Sequence, residues 1–240
     1  PRYGHALPLD RPVRRGGMTV RAQGGPGRRE KKRAREEARF ARFEAYRAEL
    51  IAQGFAEKDC TVSILRANLL GLACALPFLA AAIVGAVLLP EKVLLCTGSL
   101  FSELFLLAAV FLVSLPAHEG LHALGWAAVR GSFRGIRLGV LGRSLSPYCA
   151  VEAPFTRGRY LVGSLAPFAV LGVGLCAAGL GTGLVPLVIY GAYNVVCAGG
   201  DLLVALKVLC SRAERVLDHP VRCGFYAYRR AENARVPGSG

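Results

Sequence analysis

The sequence predicts an all-α membrane protein: four transmembrane helices, a charged helix ahead of them, and a short β-hairpin between the second and third. Three observations carry that fold class. Hydrophobic side chains make up 53% of the 240 residues while aromatic ones make up only 8%, an excess of aliphatic sequence over that of a water-soluble core. The mean hydropathy is +0.41 although 30 Lys and Arg stand against 16 Asp and Glu, so charge and apolar sequence must be segregated along the chain. Finally, several stretches run without a charged residue for the ~20 positions a helix needs to cross ~30 Å of hydrocarbon.

Residues 1–59 form a polar arm with 15 basic and 8 acidic side chains, a net +7. Within it, 28–53 contains no Pro or Gly, mixes both charge signs and places Phe40, Phe43, Ala45 and Leu50 at near-helical spacing, which predicts a charged cytosolic helix. The first 17 residues hold Arg and Pro without the apolar run of a secretory signal, and Met18 is the sequence's one methionine and a candidate start.

A membrane-embedded domain is expected over 60–210. Its first span is 67–89, with no acid or base, and its second is 104–129, interrupted only by His118, Glu119 and His122. Residues 160–200 are 41 positions without Asp, Glu, Lys or Arg, enough for two crossings broken at Gly179, Gly181 and Gly183. The third and fourth spans are therefore placed at 160–179 and 184–206. Between the second and third, polar and apolar residues alternate from Ile136, and Gly142-Arg143-Ser144 offers a turn before 145–151, which predicts the hairpin. Residues 211–240 form a polar tail.

Basic residues in short loops stay cytoplasmic. The segment 130–159 has six Arg and one Glu, and the tail has six Arg and three acids, whereas the opposite turns are nearly uncharged. Both termini are thus expected in the cytoplasm. The basic surplus is assigned to the membrane surface and its lipids, with no nucleic-acid partner, because some 180 mostly apolar residues follow the arm. The eight cysteines include no Cys-x-x-Cys pair and read as small core residues.

The second span carries the chemistry. His118-Glu119-Gly120-Leu121-His122 puts two imidazoles one helical turn apart on one face, where they can chelate a single zinc ion, with Glu119 placed to take a proton from water. Ionisable groups within a span usually face an internal site. Asp201 is the candidate third ligand; capping a helix that restarts after Gly199-Gly200 is its structural alternative. Depth favours the ligand role. His118 lies 12 residues before Arg130, ~18 Å along a helix, and Asp201 lies 11 before Arg212, ~16 Å, with both spans running the same way. Asn194, seven residues before Asp201, is expected on the same face and could stabilise an oxyanion or join two helices. Glu103, ~22 Å from His118 along the helix, is too far to be a ligand.

On these residues the chain resembles, over about 50–230, a bacterial family of integral membrane proteins grouped as zincin peptidases. The resemblance lies in His118-Glu119-x-x-His122 after Pro116, the region of Pro167, Gly199-Gly200-Asp201, and Asp218-His219-Pro220-x-x-x-Gly224-Phe225-Tyr226. The layout is also similar to that of site-2 proteases, which implies His118, His122 and Asp201 as ligands of one zinc and Glu119 as general base. It departs from them where Val195 follows Asn194 and Leu202 follows Asp201. The resemblance implies a metalloprotease of the bacterial cell membrane that hydrolyses a membrane-anchored protein in the cytoplasmic half of the bilayer. A structural membrane protein without catalysis, or a zinc hydrolase of a small or lipid amide, are the alternatives.

Overall fold

The computed structural model describes residues 28–95, 97–141 and 146–230. The expectations for residues 1–17 and for the turn at 142–144 lie outside the described residues. Contacts divide the chain after Glu36, and the architecture below is that of the unit beginning at Glu37.

Among the described residues, three helices are long and apolar enough to cross a membrane, or up to four spans if a bent pair is counted as one. The first is α2 (Ile64–Leu88), opened by Ser63, whose hydroxyl accepts from the Arg66 N–H. The second is α3 (Leu100–Arg130), closed by Gly131 in the left-handed conformation at φ 74°. Large apolar side chains point outward from both, with Leu65 70% and Leu112 69% exposed, a surface suited to lipid.

The third candidate is not a uniform α-helix as expected. It comprises α4 (Arg157–Pro167), a π-helical stretch (Phe168–Gly174) and α5 (Leu175–Thr182). The widened turns follow Pro167, which removes a backbone donor and disturbs the ladder. The fourth span also departs from its prediction. Instead of one helix over 184–206, α6 (Val185–Cys197) and α7 (Gly199–Cys210) are bent by 52° about Ala198. The Gly199-Gly200 pair supports this break and permits a close helix contact as well. A Cβ on Gly71 of α2 would stand 2.8 Å from the Gly199 carbonyl carbon, so the two backbones touch.

The chain is not all-α. Strand β2 (Ile136–Leu141) pairs antiparallel with β3 (Ser146–Val151), Leu138 opposite Cys149, forming the hairpin expected between the second and third spans. A second sheet has no counterpart in the sequence prediction. Its antiparallel order is β1 (Phe55–Asp59), β6 (Phe225–Arg230), β5 (Arg215–Asp218), β4 (Phe155–Thr156). The arm and the tail therefore meet in one sheet, with Phe55 opposite Arg230. Phe43 and Leu50 of α1 (Arg28–Ala52) bury against Phe55, Leu217 and Tyr228, and Arg47 grips both Glu57 carboxylate oxygens at 2.7 and 2.8 Å.

The other sheet face joins the spans through a core containing Trp126, Phe155, Tyr160, Val208, Val216 and Phe225. Asp218 is the polar rivet of this junction. Its carboxylate accepts from the Tyr160 hydroxyl at 2.6 Å and from the Val151 N–H at 3.0 Å, tying β5 to α4 and β3. Burial pushes its carboxyl up to about 6, outweighing those two hydrogen bonds, which favour the charged form.

Two predictions follow from this packing. Gly199→Ala should destabilise the protein by about 1–3 kcal/mol, because its Cβ would meet the Gly71 carbonyl oxygen at 2.6 Å. Gly200→Ala should be neutral or stabilising, since nothing lies within 4 Å. Thermal unfolding in detergent compares them; equal losses would show that the backbone contact is not the constraint. For Asp218, the folded state binds the proton more tightly than the unfolded state. Its stability contribution is full below about pH 4 and is lost as pH rises through about 6. The unfolding midpoint of wild type, with that of Asp218→Asn subtracted, should fall over this window and flatten above it; a difference that does not vary with pH would refute the assignment.

Candidate metal centre

The site is built where α3, α4 and α7 converge. On α3, four-residue spacing stacks His118 and His122 on one face, their rings edge-to-face with centroids 4.9 Å apart. Pro116 lies two residues upstream inside the same helix. Asp201 stands in the first turn of α7, past the bend, and reaches across to α3. Its Oδ2 lies 3.0 Å from His118 Nε2 and its Oδ1 lies 3.3 Å from His122 Nε2. One ligand atom from each residue falls within 4.8 Å of the others. The structure thus brings together residues 83 positions apart in sequence, and Asp201 spends its carboxylate on histidines rather than on a helix cap.

The donor set suits a metal ion. Two imidazole nitrogens and a carboxylate oxygen are zinc ligands, and donors bound at ~2.0–2.1 Å in tetrahedral geometry lie about 3.3 Å apart, close to the two spacings between Asp201 and the histidines. Orientation supports the same fit. His122 donates its Nδ1–H to the Gly163 carbonyl oxygen at 2.8 Å, which turns Nε2 with its remaining valence towards Asp201. His118 Nδ1 is buried without a hydrogen-bond partner among the described residues.

Trp126, one turn beyond His122, stacks on its ring with centroids 5.4 Å apart and planes 17° apart. The indole donates to the Tyr160 carbonyl at 3.0 Å, and Tyr160 is in turn fixed by Asp218. Glu119 lies beside the two histidines, within electrostatic range of both and close to Cys149 on β3. Burial pushes the neighbouring Cys149 thiol up to about 12, which keeps it protonated.

Asn194 is buried, with 1% of its surface exposed, but its amide donates to the Tyr190 carbonyl of its own helix at 2.8 Å. The bend at Ala198 removes the continuous helical face that was expected to align it with Asp201. Glu103, at the far end of α3, accepts from the Thr97 N–H at 3.2 Å, well away from the centre as its sequence distance requires. Gly163, Trp126, Tyr160, Cys149 and Asp218 escaped the sequence analysis as contributors. Signals existed for two of them: Trp126 falls at the next helical repeat after His122, and Asp218 opens the tail motif.

Neither the curated proteins nor the solved structures give a match to this chain. Residues 111–216, the stretch that contains His118, Glu119, His122, Gly163 and Asp201, match the model of the family described as "Putative zincin peptidase".

Proposed function

We propose that the protein is a membrane-embedded zinc metallopeptidase that cleaves a peptide bond of a membrane-anchored substrate in or near the cytoplasmic half of the bilayer. The observation that carries this reading is the convergence of His118, His122 and Asp201 from separate apolar helices, with Glu119 beside them. One zinc ion held by these three residues would lower the pKa of a water from 15.7 towards ~7 and polarise the scissile carbonyl.

The chain's own residues supply the rest. Glu119, beside both histidines, takes the water's proton and returns it to the departing amine. His122 is clamped between the Gly163 carbonyl and the Trp126 ring, so the ligand geometry is set before substrate arrives. The apolar surfaces of α2 and α3 support a site in lipid, and the basic surplus of the arm, middle loop and tail supports cytoplasmic termini. Asn194 is assigned no step in this mechanism, since its amide donates to the Tyr190 carbonyl of its own helix and lies beyond the bend from Asp201.

Metal analysis of detergent-purified protein is the test. Wild type should carry about one zinc per chain. Folded His118→Ala and Asp201→Ala should carry none. Glu119→Gln should retain zinc while cleavage of a membrane-anchored peptide reporter falls about 10²–10⁴-fold. Metal-free wild type after growth and purification with zinc would refute the proposal. Loss of folding in His118→Ala with unchanged behaviour of Glu119→Gln would favour polar helix packing instead.

A further inference from the structure

A metal-binding imidazole presents one nitrogen to the ion, and the partner of the other nitrogen decides the tautomer and the ring angle. His118 offers no such partner, since its Nδ1 is buried alone among the described residues. The orientation of the pair therefore falls on His122 and on the Gly163 carbonyl, 2.8 Å from its Nδ1. A backbone carbonyl inside an α-helix is normally occupied, because it accepts from the N–H four residues later. Four residues after Gly163 stands Pro167, which has no N–H.

Steric access completes the arrangement. A Cβ on Gly163 would sit 2.1 Å from Trp126 Cδ1, and one on Gly125 would sit 2.9 Å from Gly163 Cα. Only glycine at both positions lets α3 and α4 approach closely enough for the carbonyl to meet the ring. Pro167 is fully buried at the end of α4, and the next N–H, that of Phe168, is directed to Leu165.

We propose that Gly163 and Pro167 are a positioning pair for the metal centre: the proline withholds the helical donor from the glycine carbonyl, and the freed carbonyl orients His122 for metal binding. This inference rests on the zinc reading above. It assigns a role to a backbone acceptor and to a proline that touches neither ligand nor substrate.

Restoring the missing donor tests it. In Pro167→Ala an N–H at residue 167 competes for the Gly163 carbonyl, and zinc affinity, measured against a competing chelator, should fall about 10–100-fold. The metal-free variant should unfold at or above the wild-type temperature, because alanine suits the helix better. Pro77→Ala, which restores a donor inside α2, should leave zinc affinity unchanged. A second readout is spectroscopic. Zinc-loaded, ¹⁵N-histidine-labelled wild type should show a solvent-protected Nδ1–H resonance, lost in His122→Ala and weakened in Pro167→Ala. Should Pro167→Ala fail to fold, Pro167→Val restores the same N–H with bulk closer to that of proline. Zinc binding by wild type with equal affinity and an unchanged resonance in a folded Pro167 variant would overturn the positioning role while leaving the metal site intact. Absence of zinc from wild type would overturn both.

Discussion

A carboxylate among apolar helices must have its charge met, and the Asp201 carboxylate is met by two imidazoles on another helix. That requirement fixes much of the surrounding architecture. The two spans must run side by side at matching depth, and α7 must begin where Asp201 can reach α3. The 52° bend at Ala198 and the Gly71–Gly199 backbone contact satisfy the second condition by drawing the start of α7 against α2. Once the three side chains converge, either a metal or a proton must balance them, which makes the cluster the point of the molecule where chemistry and stability are hardest to separate.

The sheet outside the spans solves a second problem. Helices in lipid gain little from apolar contact with one another, so small residues and polar ties set their positions. Here, the arm and tail clasp each other through β1 and β6, and the resulting sheet grips the ends of α3, α4 and α7 through Trp126, Tyr160 and Val208. Asp218 extends that grip through Tyr160 towards Trp126 and the His122 ring, and through Val151 to β3. A segment that looks like a solvated tail in composition thus reaches the His118, His122 and Asp201 cluster through two intervening residues, Tyr160 and Trp126.

How much of this was legible in the sequence follows the range of the interactions. The spans and the His118, Glu119 and His122 constellation are written in local composition and helical spacing, and Asp201 stood out as an acid within an apolar run. The sheet was not legible. Strand β1 reads Phe-Ala-Glu-Lys-Asp, five residues with almost no alternation, and its partner lies about 170 positions away. The bend was half legible, since Gly199-Gly200 marks a weak point but not an angle. Gly163 was invisible for a different reason: its contribution is a carbonyl, which every residue possesses, and only Pro167 four positions later distinguishes it.

Several buried polar residues are satisfied within their own helix, and those of the centre are not. Ser114 donates to Phe111, Thr182 to Ala178 and Asn194 to Tyr190, each to a carbonyl of its own helix. Such groups can be buried with no help from the rest of the fold, and that locality makes the buried Asn194 a poor candidate for catalysis. His118, His122 and Asp201 do the opposite. Their partners are 83 and 41 residues distant, and His118 Nδ1 has no hydrogen-bond partner among the described residues. A chain that needed only to pack its helices would gain more from local satisfaction or from apolar replacement of the three groups. Asp218 also depends on distant partners, so the distinguishing feature of His118, His122 and Asp201 is their metal-ligand spacing beside Glu119, which binding explains better than packing.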